Sequence, residues 1–256
     1  MNISFIGSGN VAHHLMQAFD KAGHSIEEIF SRNIEQAAIY ANRYKANLRT
    51  DLQNFAAESD LIILSISDDA IPTLAEQLKM FNTPVVHTAG SVNIQVLSST
   101  RHSYGVLYPL QTFSKEKEID YSQIPYFIES SDDILTRKLE DLITSTQATF
   151  KYLNSEQRMQ LHIAAVFACN FSNFMFDLAA QLLHKQDIPF SSLMPLIQEC
   201  IQKLEHLSPE QAQTGPAKRG DNSTMQKHMK ALESQPELQK IYELLSREIE
   251  KKHNQS

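Results

Sequence analysis

Cysteine is almost missing from this chain of 256 residues. Cys169 and Cys200 are the only two, and their separation fits no metal-ligand pattern. A thiolate metal centre is therefore excluded, and the two thiols are expected to stay free in a reducing compartment. Positive charge is also short: 23 Lys and Arg stand against 30 Asp and Glu, a net charge of −7. A polyanion partner normally leaves a basic stripe, so no general nucleic-acid surface is expected. Long apolar runs are missing too. The most apolar stretch, Leu161 to Leu183, is interrupted by Asn170, Ser172, Asn173, Asp177 and Gln181, and reads as too polar for a membrane span. The N-terminus enters a strand pattern at once, so no targeting segment is expected. There is no internal repeat, no low-complexity segment, no metal constellation and no strand–G-x-S-x-G elbow of a Ser hydrolase. What remains is a soluble, cytosolic protein of ordinary composition, long enough for two domains.

Glycine is scarce as well, seven in all, which gives weight to the two that open the chain. Ile3 to Ile6 is an apolar run long enough for one buried strand. Gly7, Gly9 and Ala12 then occupy the three positions of the fingerprint G-x-G-x-x-G/A, with Ser8, Asn10 and Val11 between them. The first glycine permits a tight turn, the second lets a pyrophosphate approach the backbone, and the small third residue lets helix pack on strand. The amphipathic helix that follows, Val11 to Ala22, aims its free N–H groups and positive dipole end at the phosphates.

The first half of the chain alternates strand and helix signals, as a parallel sheet with crossover helices requires. Strands are expected at Ser25 to Ser31, Ala46 to Leu48, Leu61 to Ile66, from Val85, and at Tyr104 to Leu107, Tyr126 to Glu129 and Thr149 to Leu153. Helices are expected at Ile34 to Tyr44, at Ile71 to Met80 with Pro72 in the first turn, and at Asp132 to Thr146. At Asn154 the period becomes helical and stays so. Asn154 and Gln157 form a capping box that opens a helix of about 30 residues, stopped at Asp187-Ile188-Pro189. Shorter helices follow near Ser192 to His206, Thr224 to Glu233 and Pro236 to Lys252. The expected architecture is α/β: a Rossmann-type, doubly wound, mostly parallel sheet at 1–153, then an all-helical domain at 154–256.

The second strand selects the dinucleotide. An NAD-specific fold ends that strand in Asp or Glu, which holds the ribose 2′-hydroxyl. Here it ends Phe30-Ser31-Arg32-Asn33, while Glu27 and Glu28 come too early. A hydroxyl, a guanidinium and an amide suit a 2′-phosphate, so NADP(H) is the expected cofactor, held by Ser31, Arg32 and Asn33. Ser65, Ser67 and Asp68 end the neighbouring strand and are expected along the ribose and nicotinamide.

Four segments carry a resemblance to a known family: Gly7-Ser8-Gly9-Asn10-Val11-Ala12; His87-Thr88-Ala89-Gly90-Ser91; Pro109-Leu110-Gln111-Thr112-Phe113; and Thr214 to Asp221, continuing to Thr224 and His228. The chain resembles the Rossmann-like NADP oxidoreductases of the deazaflavin-coenzyme type, in the branch with an all-helical C-terminal domain of unknown function. It is also similar in architecture to pyrroline-carboxylate reductases and hydroxyacid dehydrogenases. The resemblance implies an active site between two domains. One departure is Tyr108, where many relatives are expected to have His before Pro-Leu-Gln.

Candidate catalytic groups are His87, His162, Asn170 and Arg219. His87 follows a strand, at the sheet edge where ligands bind, and could act as general acid or polarise a carbonyl; the alternative is a loop histidine bonded to backbone. His162 and Asn170 lie eight positions apart on the long helix, about 80° around it. Asn170, among Phe, Ala and Met, requires a partner if buried: a substrate carbonyl or a backbone group. Arg219 could pair with a substrate carboxylate, a cofactor phosphate or a carboxylate of its own loop, whose Asp221 is placed to cap the next helix. Two functions follow: an NADP(H)-dependent oxidoreductase acting on a small substrate, or a non-catalytic NADP-binding sensor or scaffold. The long helix is apolar on more than one face, more than three short helices can cover, and that predicts a homodimer through the helical domain.

Overall fold

A computed structural model of the chain describes residues 1–53 and 55–254. The chain forms two compact units, Met1–Cys169 and Asn170–Ser256.

The first unit is built on one eight-stranded sheet. Its strands are β1 (Asn2–Ile6), β2 (Ser25–Phe30), β3 (Asn47–Arg49), β4 (Leu61–Leu64), β5 (Val85–His87), β6 (Tyr104–Pro109), β7 (Tyr126–Ser130) and β8 (Phe150–Tyr152), in the spatial order β3-β2-β1-β4-β5-β6-β7-β8. Strands β1 to β6 are mutually parallel, β7 runs antiparallel to β6, and β8 is parallel to β7. The Leu-Ile-Ile-Leu run of β4 is buried at every position, as a central strand covered on both faces must be. Helices α1 (Asn10–Lys21), α2 (Ile34–Tyr44), α3 (Ile71–Gln77) and α4 (Asp133–Ser145) supply the covering layers. Helix α1 shows how: Ala12, Leu15, Met16, Ala18 and Phe19 recur at helical spacing and are all buried. The core has two faces. Phe5, Leu15, Ile29, Leu107 and Leu139 belong to one, and Ile62, Leu64, Ile71, Leu78 and Val85 to the other. This is the doubly wound fold expected, with strand ends that differ by at most two residues.

The chain order reverses at β1, where β2 and β3 lie on one side and β4 onward on the other. Such a reversal opens a crevice at the carboxyl ends of the strands.

Helix α5 (Ser155–Ala165) begins at the expected capping box: Gln157 N–H donates to Asn154 Oδ1 at 2.8 Å, and Asn154 N–H donates to Gln157 Oε1 at 3.0 Å. The long helical segment is not uniform α-helix. Val166–Phe171 is a π-helical stretch, and α6 (Ser172–His184) follows it. The division between the two units falls inside that stretch. Within Ser155–His184 the most apolar window has a mean hydropathy of 1.4, and none of it is buried. By length and composition this helix is apolar enough to cross a membrane. That corrects the expectation of a segment too polar to do so, because the interrupting residues are mostly uncharged amides and hydroxyls.

The second unit continues with α7 (Met194–Gln202), the short α8 (Pro209–Ala212), α9 (Asn222–Ala231) and α10 (Pro236–Asn254). Asp221 caps α9 as expected, accepting from Thr224 N–H at 3.0 Å. Both cysteines are free and exposed.

Candidate functional site

A groove of about 1060 Å³ runs along the carboxyl ends of β1, β2 and β4. The fingerprint turn forms its floor, and its shape depends on the missing side chains. Gly7 has φ of +117°, and a Cβ there would lie 2.1 Å from the Ser65 carbonyl oxygen, so only glycine fits. At Gly9 a Cβ would meet nothing within 4 Å: the backbone is open on the groove side, as a close-approaching phosphate needs. Ala12 is fully buried where α1 packs on the sheet.

The turn is tied to the tip of β2. Gly7 N–H donates to Phe30 O at 2.8 Å, Ser8 and Ser31 hydroxyls meet at 2.8 Å, and Asn33 N–H donates to Ser31 Oγ at 3.2 Å. Arg32 is exposed on the groove, and its guanidinium has no hydrogen bond or ion pair among the described residues. Among the described residues that line the groove at this tip, Phe30 to Asn33 and Gln36, none is acidic, and Glu35 of the first turn of α2 is not on the lining. Glu28 lies back within β2, where its carboxylate accepts from Arg49 and from Ala56 N–H.

Of the eleven residues expected around a cofactor, the groove brings together Gly7, Ser8, Gly9, Asn10, Val11, Ser31, Arg32, Asn33, Ser65 and Ser67. The buried Ser65 hydroxyl has no partner among the described residues. Asp68 is not on the lining. Its carboxylate accepts instead from Ser91 Oγ and ties the loop after β4 to the loop after β5.

The catalytic candidates separate. His87 is fully enclosed, does not line the groove, and uses Nδ1 to accept from Ala89 N–H at 3.2 Å. Burial, reinforced by the nearby Arg158 charge, pushes its pKa down to about 3. It is a neutral core histidine bonded to backbone. Asn170 is exposed, so the argument from a buried amide does not apply to it; apolar neighbours in sequence did not mean burial. Arg219 is exposed, and its charge helps Thr224 hold the Asp221 carboxyl below its ordinary range.

His162 has the most specific surroundings. Its Nδ1 lies 3.1 Å from the Tyr108 hydroxyl, with the rings edge-to-face at 6.1 Å. The pair packs on Gly90, where a Cβ would sit 2.6 Å from His162 Nδ1 and 2.9 Å from Tyr108 Cζ. Gly90 is two residues beyond Thr88, which lines the groove. Burial holds the Tyr108 phenol above its ordinary pKa, against the pull of Arg158. Beneath lies Arg158, 1 % exposed, donating to Glu129, to Val92 O and to Ser155 Oγ.

Sequence reasoning missed Lys115, which also lines the groove. After β6 the chain crosses back over α1 as a strap. Asn10 Nδ2 donates to Phe113 O at 2.9 Å, His14 Nε2 meets Ser114 O at 2.8 Å, and the Phe113 ring stacks on His14 at 4.9 Å. The only signal in the sequence is nearness to Pro109-Leu110-Gln111-Thr112-Phe113.

Residues 2–89 match the family described as NADP oxidoreductase, coenzyme F420-dependent, and residues 124–249 match a domain of unknown function, DUF2520. Among solved structures, BF3122 from Bacteroides fragilis, classed as an NADP oxidoreductase, is 40 % identical over 98 % of each chain, with a TM-score of 0.89. An imine reductase from Myxococcus stipitatus, solved with NADP+, is 14 % identical over 98 % of this chain and 93 % of its own, with a TM-score of 0.70. A 1-pyrroline-5-carboxylate reductase from Streptococcus pyogenes is 14 % identical over 98 % of each chain, with a TM-score of 0.64. The last two share the fold. No curated protein matches the sequence.

Proposed function

Because the chain belongs to the NADP oxidoreductase family that joins a domain of the coenzyme F420-dependent type to a DUF2520 domain, we propose that it is an NADP(H)-dependent reductase of a small carbonyl or imine compound. The observation that carries this reading beyond cofactor binding is the Tyr108–His162 pair. It is packed against Gly90, two residues beyond Thr88 on the groove lining, and the carboxyl edge of the sheet is where ligands bind in this fold. Bound NADPH supplies the hydride. The chain's own part is to bind, orient and protonate. Gly7 and Gly9 give the pyrophosphate access to backbone, Ser31, Arg32 and Asn33 hold the 2′-phosphate, and Ser65 and Ser67 face the ribose and nicotinamide. The Tyr108 hydroxyl, kept protonated by burial, gives its proton to the reduced oxygen or nitrogen and recovers one from half-buried His162.

Purified protein should oxidise NADPH with at least one member of a panel of imines, keto acids and deazaflavins. Tyr108→Phe should then lower kcat about 10²- to 10³-fold and leave NADPH affinity unchanged, since a positioned proton donor is worth roughly that much. Binding of NADPH with no turnover on any member would instead support a non-catalytic NADP-binding protein.

The assembled form is a homodimer in which the long helix of each copy covers its mate. The unburied apolar window of Ser155–His184 and the half-exposed ring of Phe174 support this, because monomers rarely leave so large an apolar surface open. Sedimentation equilibrium should give twice the 29.1 kDa of one chain, and Phe174→Glu should reduce it to one. A monomer throughout the micromolar range, or a protein soluble only in detergent, would overturn the assignment.

A further inference from the structure

Resting on the NADP(H) reading above, we propose that Lys115 is the second cation of the 2′-phosphate site. It is delivered across the fingerprint turn by the strap and lines the same groove as Arg32 at the tip of β2. The Lys115 ammonium is half-buried in the groove wall, 3.1 Å from Gln36 Oε1 and 3.4 Å from Ser8 O, and 5.8 Å above the Tyr40 ring. A carbonyl, an amide and a ring are all neutral, and no carboxylate pairs with it among the described residues. A lysine kept only for structure would extend to water or find an acid. This one is partly buried in the groove wall against neutral groups, and Arg32 on the same lining is likewise without an ion pair among the described residues. The groove therefore presents, close to the start of α2, two positive charges that form no ion pair among the described residues; the first turn of α2 also carries the exposed Glu35. The groove's lining carboxylate, Asp69, lies beyond β4, on the far side of the fingerprint turn.

The position of the ammonium selects which phosphate it serves. Gln36 is in the first turn of α2, directly after the β2 tip, and the Ser8–Ser31 hydroxyl contact draws the fingerprint turn against that tip. In dinucleotide folds the end of the second strand faces the adenosine ribose. Lys115 thus stands on the ribose side, where a phosphate monoester carries nearly two negative charges at neutral pH. One forked guanidinium and one compact ammonium complement it. The strap's anchors, Asn10 and His14, fix the lysine from a segment that no second-strand motif includes.

The test is calorimetric titration of the whole protein with NADPH, NADH, 2′,5′-ADP and 5′-AMP. Lys115→Met should weaken NADPH and 2′,5′-ADP about ten- to hundredfold and leave NADH and 5′-AMP unchanged, a charged hydrogen bond being worth that factor. Arg32→Ala should behave alike, Lys115→Arg should keep most of the affinity, and the double variant should bind NADPH no better than NADH. Equal weakening of NADPH and NADH by Lys115→Met, from a pyrophosphate contact or a lost strap, overturns the proposal. So does an unchanged NADPH affinity, which leaves the reductase reading intact. A native protein that binds neither dinucleotide overturns both.

Discussion

Arg158→Met should destabilise the protein by about 3–5 kcal/mol, because it leaves a buried charge without its partner. The guanidinium is 1 % exposed and the Glu129 carboxylate 16 %, and little water can reach either. Without Arg158, Glu129 keeps only the Ser155 N–H and hydroxyl, at 2.9 and 2.8 Å, and the Val92 carbonyl loses its donor. Urea unfolding should show a lower midpoint with an unchanged slope. The double variant Arg158→Met, Glu129→Leu should recover a large part of the loss, since apolar groups of similar volume often replace a buried pair at little cost. A loss below about 1 kcal/mol would mean that the pair is hydrated and behaves like a surface one.

Stability should also fall as the pH drops from about 6.5 towards 4, with His87 as its main source. Its folded pKa of about 3 lies below the ordinary 6.5, through burial first and the Arg158 charge second. The unfolded chain therefore takes up the proton first. The stabilisation is complete above about pH 6.5 and is lost as the pH falls towards 3, by up to about 1.4 kcal/mol per unit. His13 and His24 are also lowered, by burial first, and add in the same direction. Depressed carboxyls such as Asp132 act only at lower pH. His87→Asn, whose amide oxygen can still accept from Ala89 N–H, should flatten the slope between pH 4 and 6.5 and isolate the His87 share. Superimposable curves for the two proteins would show that His87 is hydrated. Arg158→Met should flatten the slope too, since the cation that disfavours His87 protonation is gone.

Much of the first unit was legible because its rules are local. Four apolar residues in a row made β4, Gly7 and Gly9 at fixed spacing made the turn, and Asn154 with Gln157 marked the start of α5 to the residue. The groove's wall from Ser31 to Asn33 followed from the end of one strand. Side-chain fates set by distant packing were not legible. His87 and Asn170 invert the expectation: the histidine expected at the sheet edge is sealed in as the last residue of β5, and the amide among phenylalanines is exposed. Tyr108 and His162 are 54 positions apart and meet only once β6 and α5 are in place. The π stretch leaves no trace in the apolar period, because Val166 to Phe171 reads equally well at 3.6 residues per turn.

The strap has a consequence for the order in which this protein is made. Asn10 and Phe113 are separated by 103 positions, and Lys115 and Ser8 by 107, so those contacts close loops that span nearly half the chain. Loop closure of that length is an entropic cost met before any contact rewards it, and non-local contacts are therefore the slow ones. On the ribosome, β1, α1 and β2 emerge long before residue 115. They can pair while the groove still lacks its wall, with the Gly7–Gly9 backbone open to water on both sides. The dinucleotide cradle is thus a late product of synthesis. Ligand that binds only the closed cradle stabilises the finished domain and passes over the nascent one.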